Sequence, residues 1–340
     1  MREKQHEPIA FELAQSVKIQ NQKILYLCDS DKEARLIKNE LLLFMNDDEI
    51  GYYPEREILP YDRFSTADSI IQQRIKLLNA DKTKIKIIIT SCINLFEKLP
   101  SKNFFISRKI FKIGNTLTIK DLTTSLEKLK YERVDKVRSI NQYTVRGGVV
   151  DFYSGFQLNP IRVDFFGDQI DEIREFDPKT QNMTSKLSEF KLYTGSEINL
   201  DEDSIGNFKF AWRNYFQSHD ERHCEIFQSL ASGKYPEGYE IYNPLIQAGN
   251  SNLIDYFSEF NLTASERIDQ SLSSYKAFVE ERYLEESIDS TRPILKPHDY
   301  IFTIKELQLY IETAKKMVVI NNNPIIDHSL QKEIQLKILI

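Results

Sequence analysis

Two short groups of residues are of types that could do metal chemistry, and neither is complete. The acidic triplet at 201–203 resembles a pair that holds magnesium, and His219, His223 and Cys224 lie within about one helical turn, as zinc ligands do. A zinc site needs a second pair of ligands, and the nearest other histidine is His298. Because short His/Cys spacings are weak signals, we interpret these histidines as surface residues and the triplet as an exposed turn.

A phosphate-binding loop is absent from the sequence. The motif G-x-x-x-x-G-K-[ST] presents backbone amides and a lysine to phosphate. Only Gly233 is followed by a lysine; Tyr235 comes next, and no glycine stands at the required earlier position. Serine-hydrolase, kinase and cysteine-centred signatures are missing as well. The sequence therefore predicts no catalytic site and no cofactor for this chain.

The residues 161–166 predict a strand with a charged face that includes an aromatic ring. Alternation of side chains puts Arg162 and Phe166 on one face, opposite an apolar face. An aromatic ring beside an arginine is typical of a protein interface, because the pair combines apolar area with planar hydrogen bonding. The pattern leaves equally open that Phe166 tucks under a neighbouring loop or helix.

Arg146 is a second candidate for the same face. It precedes the glycine pair at 147–148, which predicts a bulge or a close backbone approach. Simple alternation places Arg146 with Val150 on the core side. A bulge at the glycines would instead turn Arg146 outward, next to Arg162. Both placements are open at this stage.

Composition limits the classes of protein. The 340 residues predict about two structural units, and 41% hydrophobic with 28% charged residues is a globular composition. The 45 Lys and Arg against 51 Asp and Glu give a net charge of -6, which excludes a chain-wide basic surface but not a local basic patch. Three scattered cysteines, no apolar run of about 20 residues and no secretory signal predict a cytoplasmic protein with reduced thiols.

The order of the predicted elements indicates two kinds of structure. The apolar runs at 23–28 and 85–90, separated by helical patterns, predict buried strands of a parallel sheet in an α/β layer. Residues 105–193 contain one helical pattern and shorter, alternating strands, which predict an antiparallel meander. Helical periodicity returns afterwards, with 253–257 and 316–320 as candidate strands.

Several motifs then occur in a fixed order. They are LPYDRFS at 59–65, QRI at 73–75, YTVRGGVVDF at 143–152, VDFFGDQID at 163–171, GYEIYNPL at 238–245 and SER at 265–267. Each is weak alone, but the ordered set resembles the N-terminal module of the bacterial transcription-repair coupling factors. The resemblance spans nearly the whole chain, roughly from Ile19 to Val319.

The resemblance implies an architecture. In that family the region is similar to UvrB, and its fold is a degenerate helicase-like (RecA-like) α/β domain with a parallel sheet. A small antiparallel α+β domain is inserted into it. The implied divisions are 1–107 and 195–330 for the two parts of the α/β domain, 108–194 for the insert, and 331–340 for a tail or linker to further domains.

The resemblance also implies a function. In that family the insert binds UvrA, the damage-recognition ATPase, and Arg146, Arg162 and Phe166 fall on the UvrA-contact positions. The region does not hydrolyse ATP, because its phosphate loop has degenerated. RNA polymerase, duplex DNA, ATP and magnesium are bound in the family by domains that lie beyond the end of this chain. The chain is thus expected to be a non-enzymatic recruitment module that couples stalled transcription to nucleotide excision repair.

Two other functions are weighed against this one. The first is part of a UvrB-like, ATP-dependent excision or helicase enzyme, which would have a phosphate loop near its start and a DNA-clamping hairpin. The stretch 59–78 leaves no room for that hairpin. The second is direct DNA binding, against which the net negative charge argues.

Overall fold

The computed structural model describes residues 9–105, 110–217, 219–247, 250–313 and 317–320, so the predicted tail at 331–340 lies outside the described residues. The α-helices within these ranges are α1 (Ile9–Gln20), α2 (Asp31–Leu41), α3 (Asp68–Leu78), α4 (Ile119–Lys128), α5 (Glu202–Tyr215), α6 (Glu225–Ala231), α7 (Asn243–Ile246), α8 (Leu253–Tyr256), α9 (Ile268–Glu286), α10 (Pro297–Tyr300) and α11 (Ile304–Thr313). The strands are β1 (Ile24–Cys28), β2 (Ile50–Tyr53), β3 (Ile87–Ser91), β4 (Ile110–Lys112), β5 (Glu132–Arg133), β6 (Gln142–Arg146), β7 (Val149–Phe152), β8 (Ile161–Phe166), β9 (Gln169–Phe176), β10 (Met183–Leu187), β11 (Glu189–Lys191), β12 (Asn261–Ser265) and β13 (Met317–Ile320).

The chain forms two compact units. The first contains the residues up to Asp62, then 77–99, and the residues from Asn250 onward. The second contains 63–76 and 100–249, and so includes the segment 108–194 that was predicted as the insert. The predicted domain boundaries stay a prediction.

A five-stranded parallel sheet is the centre of the first unit. Its strand order is β13-β12-β1-β3-β2, and every neighbouring pair is parallel. All five residues of β1 and all five of β3 are buried, as expected for strands covered on both faces. The two apolar runs therefore form the adjacent strands β1 and β3, and the predicted α/β class with a parallel sheet is confirmed.

Helices α1 and α2 cover one face of this sheet. Their buried residues include Leu13 and Ile37, which join Tyr26 and Ile89 of β1 and β3 in one apolar cluster. Helix α2 starts where it does because the Ser30 hydroxyl accepts a hydrogen bond from the Glu33 amide at 3.3 Å. The apolar stripe and the cap thus place the start of α2 directly after β1.

One predicted strand is wrong. Of the residues 253–257, the first four form the short helix α8 and Phe257 is its C-cap, and the strand that pairs with β1 is β12. Asn252 caps α8: its side chain accepts a hydrogen bond from the Ile254 amide, and Asp255 accepts one from the Asn252 amide. A short, mostly apolar segment fits a buried helical turn as well as a strand, and the hydrogen-bonded cap favours the helix.

A six-stranded sheet dominates the second unit. Its order is β10-β9-β8-β7-β6-β5, antiparallel except for the β5–β6 pair, so the predicted meander is confirmed. Helix α4 packs Leu122 and Leu126 against one face, beside Val150, Phe152 and Val163. That face is the apolar core of the unit, and the opposite face carries the charged residues described below.

A buried ion pair within the second unit joins α3 to the segment that follows β11. Arg74 Nε lies 3.0 Å from Glu197 Oε1, and both side chains are buried. Gln72, two residues earlier on α3, donates a hydrogen bond to Asn141 at 3.1 Å. Since an unpaired buried charge is strongly destabilising, Arg74 and Glu197 hold each other in place.

Candidate protein-interaction site

The β6–β7 hairpin determines where Arg146 points. Arg146 pairs with Val149, so 147–148 is a two-residue loop, and Gly147 has a φ of +59°. A positive φ at the first loop position is typical of a tight hairpin turn, and glycine adopts it without strain. In this register Thr144 pairs with Asp151, which places Arg146 on the same face as Asp151.

Of the two placements left open for Arg146, the one on the core side with Val150 is therefore wrong. The proposed reason for an outward Arg146, a bulge at the glycines, is also wrong, because the two glycines form a hairpin turn. Alternation along one strand does not continue through a turn: Val150 pairs with Val145, not with Arg146. Arg146 does lie on the outer face with Arg162, because the hairpin loop has two residues.

Asp151 joins the two arginines in an Arg–Asp–Arg cluster, by which we mean Arg146, Asp151 and Arg162. Asp151 Oδ2 lies 2.7 Å from Arg146 Nη2 and accepts a second hydrogen bond from Arg162 Nη2 at 2.8 Å. Its Oδ1 accepts from Arg162 Nε at 2.7 Å. The two Nη2 atoms therefore lie within about 5.5 Å of each other, the sum of their distances to the shared oxygen. Both guanidinium groups can contact one ligand.

The members of the cluster differ in exposure. The Asp151 side chain is 1% exposed, that of Arg162 is 23% exposed and that of Arg146 is 53% exposed. Arg162 also lies over the ring of Phe176, with its guanidinium carbon 4.6 Å from the centroid. The hydrogen bond to Asp151 raises the pKa of Arg162 above its usual range. Arg162 is held on two sides, and Arg146 projects further into solvent.

Phe166 lies at the end of β8, next to a second two-residue hairpin loop. Phe166 pairs with Gln169, and Gly167 has a φ of +60°. The ring is 81% exposed, so it does not tuck under a neighbouring element. Arg162 and Phe166 are four residues apart on the strand, about 13 Å between Cα atoms at ~3.3 Å per residue.

A bulge in β9 keeps the two faces of this hairpin distinct. Asp164 pairs with Glu172 and Phe165 with Ile170, so Asp171 is left over on β9. Because of that extra residue, Ile170 and Ile173 both face the core although they are three residues apart.

A second row of charges runs beside the Arg–Asp–Arg cluster. Arg174 forms ion pairs with Asp164 and with Glu172, and Lys186 lies 2.7 Å from Glu172. These residues come from the neighbouring strands β8, β9 and β10, where opposite charges across strands stabilise the pairing. The charges of this row neutralise one another, whereas the Arg–Asp–Arg cluster keeps one net positive charge.

The residues first considered for metal binding have other hydrogen-bond partners and differ in exposure. Asp201 is the N-cap of α5 and accepts a hydrogen bond from the Ser204 amide at 2.8 Å. His223 is exposed and lies 3.2 Å from Asp220, whereas Cys224 is buried. Across the part of the chain that the structure describes, no three His, Cys, Asp or Glu side chains come together as metal ligands.

Carboxylates lie at the end of β1, where a nucleotide-binding α/β protein presents its phosphate loop. Asp29 lies 2.9 Å from Arg267 Nε and accepts hydrogen bonds from the hydroxyls of Ser265 and Ser271. Glu33, in the first turn of α2, accepts a hydrogen bond from the Asp29 amide at 3.0 Å. The Arg267 guanidinium group, the two serine hydroxyls and the Asp29 amide are thus bonded to carboxylates of the chain itself.

Asp151 is the residue that the sequence interpretation missed. It stands between Val150 and Phe152 in an apolar strand, and a charged residue flanked by buried ones was the available signal. The sequence could not show that Asp151 pairs across both neighbouring strands, with Thr144 and with Arg162.

Comparisons with known proteins agree with these features. Residues 110–197, which contain Arg146, Asp151, Arg162 and Phe166, match the sequence profile of the UvrB interaction domain. The transcription-repair-coupling factor of Haemophilus influenzae is 28% identical over 301 residues, which cover 88% of this chain and 26% of that protein. The Rickettsia prowazekii protein of the same name is 28% identical over 323 residues, covering 89% and 28%, and the Escherichia coli one is 28% identical over 256 residues, covering 74% and 22%.

The resemblance to the transcription-repair coupling factors is thereby confirmed. The chain spans about a quarter of the length of these relatives. Among the described residues, no helix is both long enough and apolar enough to cross a membrane.

Proposed function

We propose that this chain is the recruitment module of a transcription-repair coupling factor, and that it binds UvrA. The observation that carries the proposal is the exposed ring of Phe166 on the same sheet face as two arginines that share one buried carboxylate. This face lies inside the segment that matches the UvrB interaction domain. Through it the chain would couple stalled transcription to nucleotide excision repair in the cytoplasm.

The chemistry of the face defines the partner surface. Arg146 bonds Asp151 through its Nη2 atom and is half-exposed. The rest of its guanidinium group can therefore bond a carboxylate of UvrA. Arg162 supplies a second, more rigid guanidinium group beside it. Phe166 would fill an apolar pocket, where a well-packed aromatic anchor typically contributes about 2 kcal/mol or more.

The proposed architecture is a degenerate helicase-like α/β domain divided by the interaction domain. Strands β1, β2 and β3 precede the segment 110–197, and β12 follows it and pairs directly with β1. One parallel sheet thus contains strands from both sides of the segment. This order supports the interpretation that the antiparallel domain is inserted into the α/β fold.

The carboxylates after β1 support a role without ATP hydrolysis. A nucleoside triphosphate at the start of α2 would face the carboxylates of Asp29 and Glu33, which repel phosphate. The rival function, part of a UvrB-like ATP-dependent enzyme, requires phosphate binding at this point. In the full-length protein, RNA polymerase, duplex DNA, ATP and magnesium would be bound by other domains.

Titration calorimetry of the purified chain with UvrA tests the proposal. We expect saturable binding by the wild-type chain and none measurable by the Arg146→Ala/Arg162→Ala variant. The variant should melt at a lower temperature, because the buried Asp151 loses both ion-pair partners, so binding is measured at a temperature where the variant is folded. Undiminished binding by the folded double variant would overturn the proposed site. An ATPase assay on the chain alone distinguishes the recruitment module from the rival enzyme, because measurable ATP turnover would favour the enzyme.

A further inference from the structure

We propose that Asp151 is the positioning residue of the UvrA-docking face, holding both guanidinium groups in the arrangement that the partner meets. The inference rests on the proposed function, since it assigns a role within the same site. Asp151 itself is 1% exposed, so its carboxylate cannot be a contact for the partner. Its effect on binding must act through the arginines.

The position of Asp151 in the sheet suits this role. It lies on β7, with Arg146 on the neighbouring strand β6 and Arg162 on β8. Both arginines bond the same oxygen, Oδ2, and Arg162 also bonds Oδ1. A single carboxylate therefore fixes the separation of two long side chains from two different strands.

Holding the arginines favours binding for an entropic reason. A free arginine side chain samples many rotamers, and ordering it on binding weakens affinity. The guanidinium groups of the Arg–Asp–Arg cluster are already bonded in the chain without a partner. Without the shared acceptor, both arginine side chains would have to be ordered when the partner binds, and the lost entropy would weaken the affinity.

Removing a negative charge from this face distinguishes positioning of the arginines from simple attraction of an acidic partner, because the two explanations predict opposite changes in affinity. Asp151→Asn and Asp164→Asn each remove one negative charge from the same face of the sheet, and Asp164 bonds only the second row, through Arg174. If the face acted only by attracting an acidic partner, both substitutions would strengthen binding. If Asp151 positions the arginines, Asp151→Asn weakens binding, and Asp164→Asn does not.

Affinity for UvrA is measured by calorimetry for the wild-type chain and both variants, with melting temperatures alongside. We expect Asp151→Asn to weaken binding about tenfold or more, and Asp164→Asn to leave it within about twofold or to strengthen it. Equal affinities for wild type and Asp151→Asn, or equal losses in both variants, would overturn the proposal. If Asp151→Asn does not fold, Asp151→Glu replaces it: it keeps the charge, displaces both guanidinium groups, and must also weaken binding.

A second measurement does not involve UvrA. Relaxation of the arginine Nε–H signals in the free wild-type chain should show Arg162 Nε as ordered as the backbone, because it donates to Asp151 at 2.7 Å. A mobile Arg162 signal in the free chain would overturn the positioning role even if UvrA binds. Failure of the wild-type chain to bind UvrA, with an ordered Arg162, would instead contradict the proposed function.

Discussion

Phe166 is held in solvent by its own strand geometry. It is the last residue of β8, on the charged face and next to a two-residue loop, and its ring is 81% exposed. A ring in that position buries little area in the free chain, so its loss costs little folding free energy. Its apolar surface becomes useful only when a partner covers it.

Phe166→Ala is expected to separate binding from folding. UvrA affinity should fall by about 2 kcal/mol or more, roughly thirtyfold, because a buried aromatic anchor is lost from the interface. Calorimetry measures the affinity, and the melting temperature should stay within about 1 °C of wild type.

Leu158→Ala is the matched control for that substitution. Leu158 is an apolar residue of the same unit, 89% exposed, in the loop between β7 and β8. Neither UvrA affinity nor stability should change. A folded Phe166→Ala variant that binds as tightly as wild type, or an equal loss in Leu158→Ala, would contradict the assignment of Phe166.

Glu55 illustrates the effect of burial on a single carboxyl in the first unit. Desolvation raises the pKa of Glu55 above its ordinary value, and the neighbouring charge of Asp31 acts in the same direction. The ionised form is thus less stable in the folded chain than in the unfolded one. This destabilisation is absent below the unfolded pKa of about 4.3 and grows as the pH rises above it.

Glu55→Gln should therefore stabilise the chain at neutral pH. Glutamine can still accept the hydrogen bond that Glu55 receives from the Asp31 amide. We expect the melting temperature to rise by about 2 °C or more at pH 7 and by less at pH 4. Glu312→Gln, at an exposed position on α11, is the control and should change little at either pH. A lower melting temperature for Glu55→Gln at pH 7 would contradict the interpretation.

At the scale of elements, two tight hairpins shape the docking face. The loops at 147–148 and 167–168 each begin with a glycine of positive φ. The first loop places Arg146 and Asp151 on one face of the sheet. In the second hairpin Asp164 pairs with Glu172, and Arg162 pairs with Arg174. A longer or shorter first loop would shift the register and move Arg146 away from Asp151.

Gly147→Ala and Gly206→Ala should have opposite effects on stability. A Cβ at either position meets no atom within 4 Å, so only the backbone conformation differs. Gly147 has a φ of +59°, where alanine is strained by about 1–2 kcal/mol. Gly206 lies inside α5, where alanine should add about 0.5–1 kcal/mol. Urea unfolding measures both, and equal signs would contradict the role assigned to the loop.

Patterns in the sequence could predict some parts of this site and not others. Alternation along β8 places Arg162 and Phe166 on one face, because both residues lie on a single strand. Arg146 lies on the other side of a turn from β7. The face on which it lies depends on the number of residues in that turn, which alternation along a strand does not predict. The contacts of Asp151 with both arginines depend on the register of three strands, which no local sequence pattern specifies.

At the scale of the whole chain, charge limits the partners. The net charge of -6 opposes association with the phosphate backbone, so strong DNA binding by this chain alone is not expected. We expect a Kd for duplex DNA weaker than about 100 µM at physiological salt. Fluorescence anisotropy over a range of salt concentrations measures it. Tight binding that weakens steeply with salt would favour the direct DNA-binding function instead.

The sequence by itself determined the α/β class, the antiparallel meander, the absence of a phosphate loop and the resemblance to the coupling factors. Each depends on local periodicity or on ordered short motifs, which do not need contacts between distant residues. The tertiary structure decided that β12, and not 253–257, pairs with β1, that Phe166 faces solvent, and that one buried carboxylate joins Arg146 to Arg162. Those outcomes depend on strand register and on packing between residues far apart in the chain, where several local patterns fit equally well.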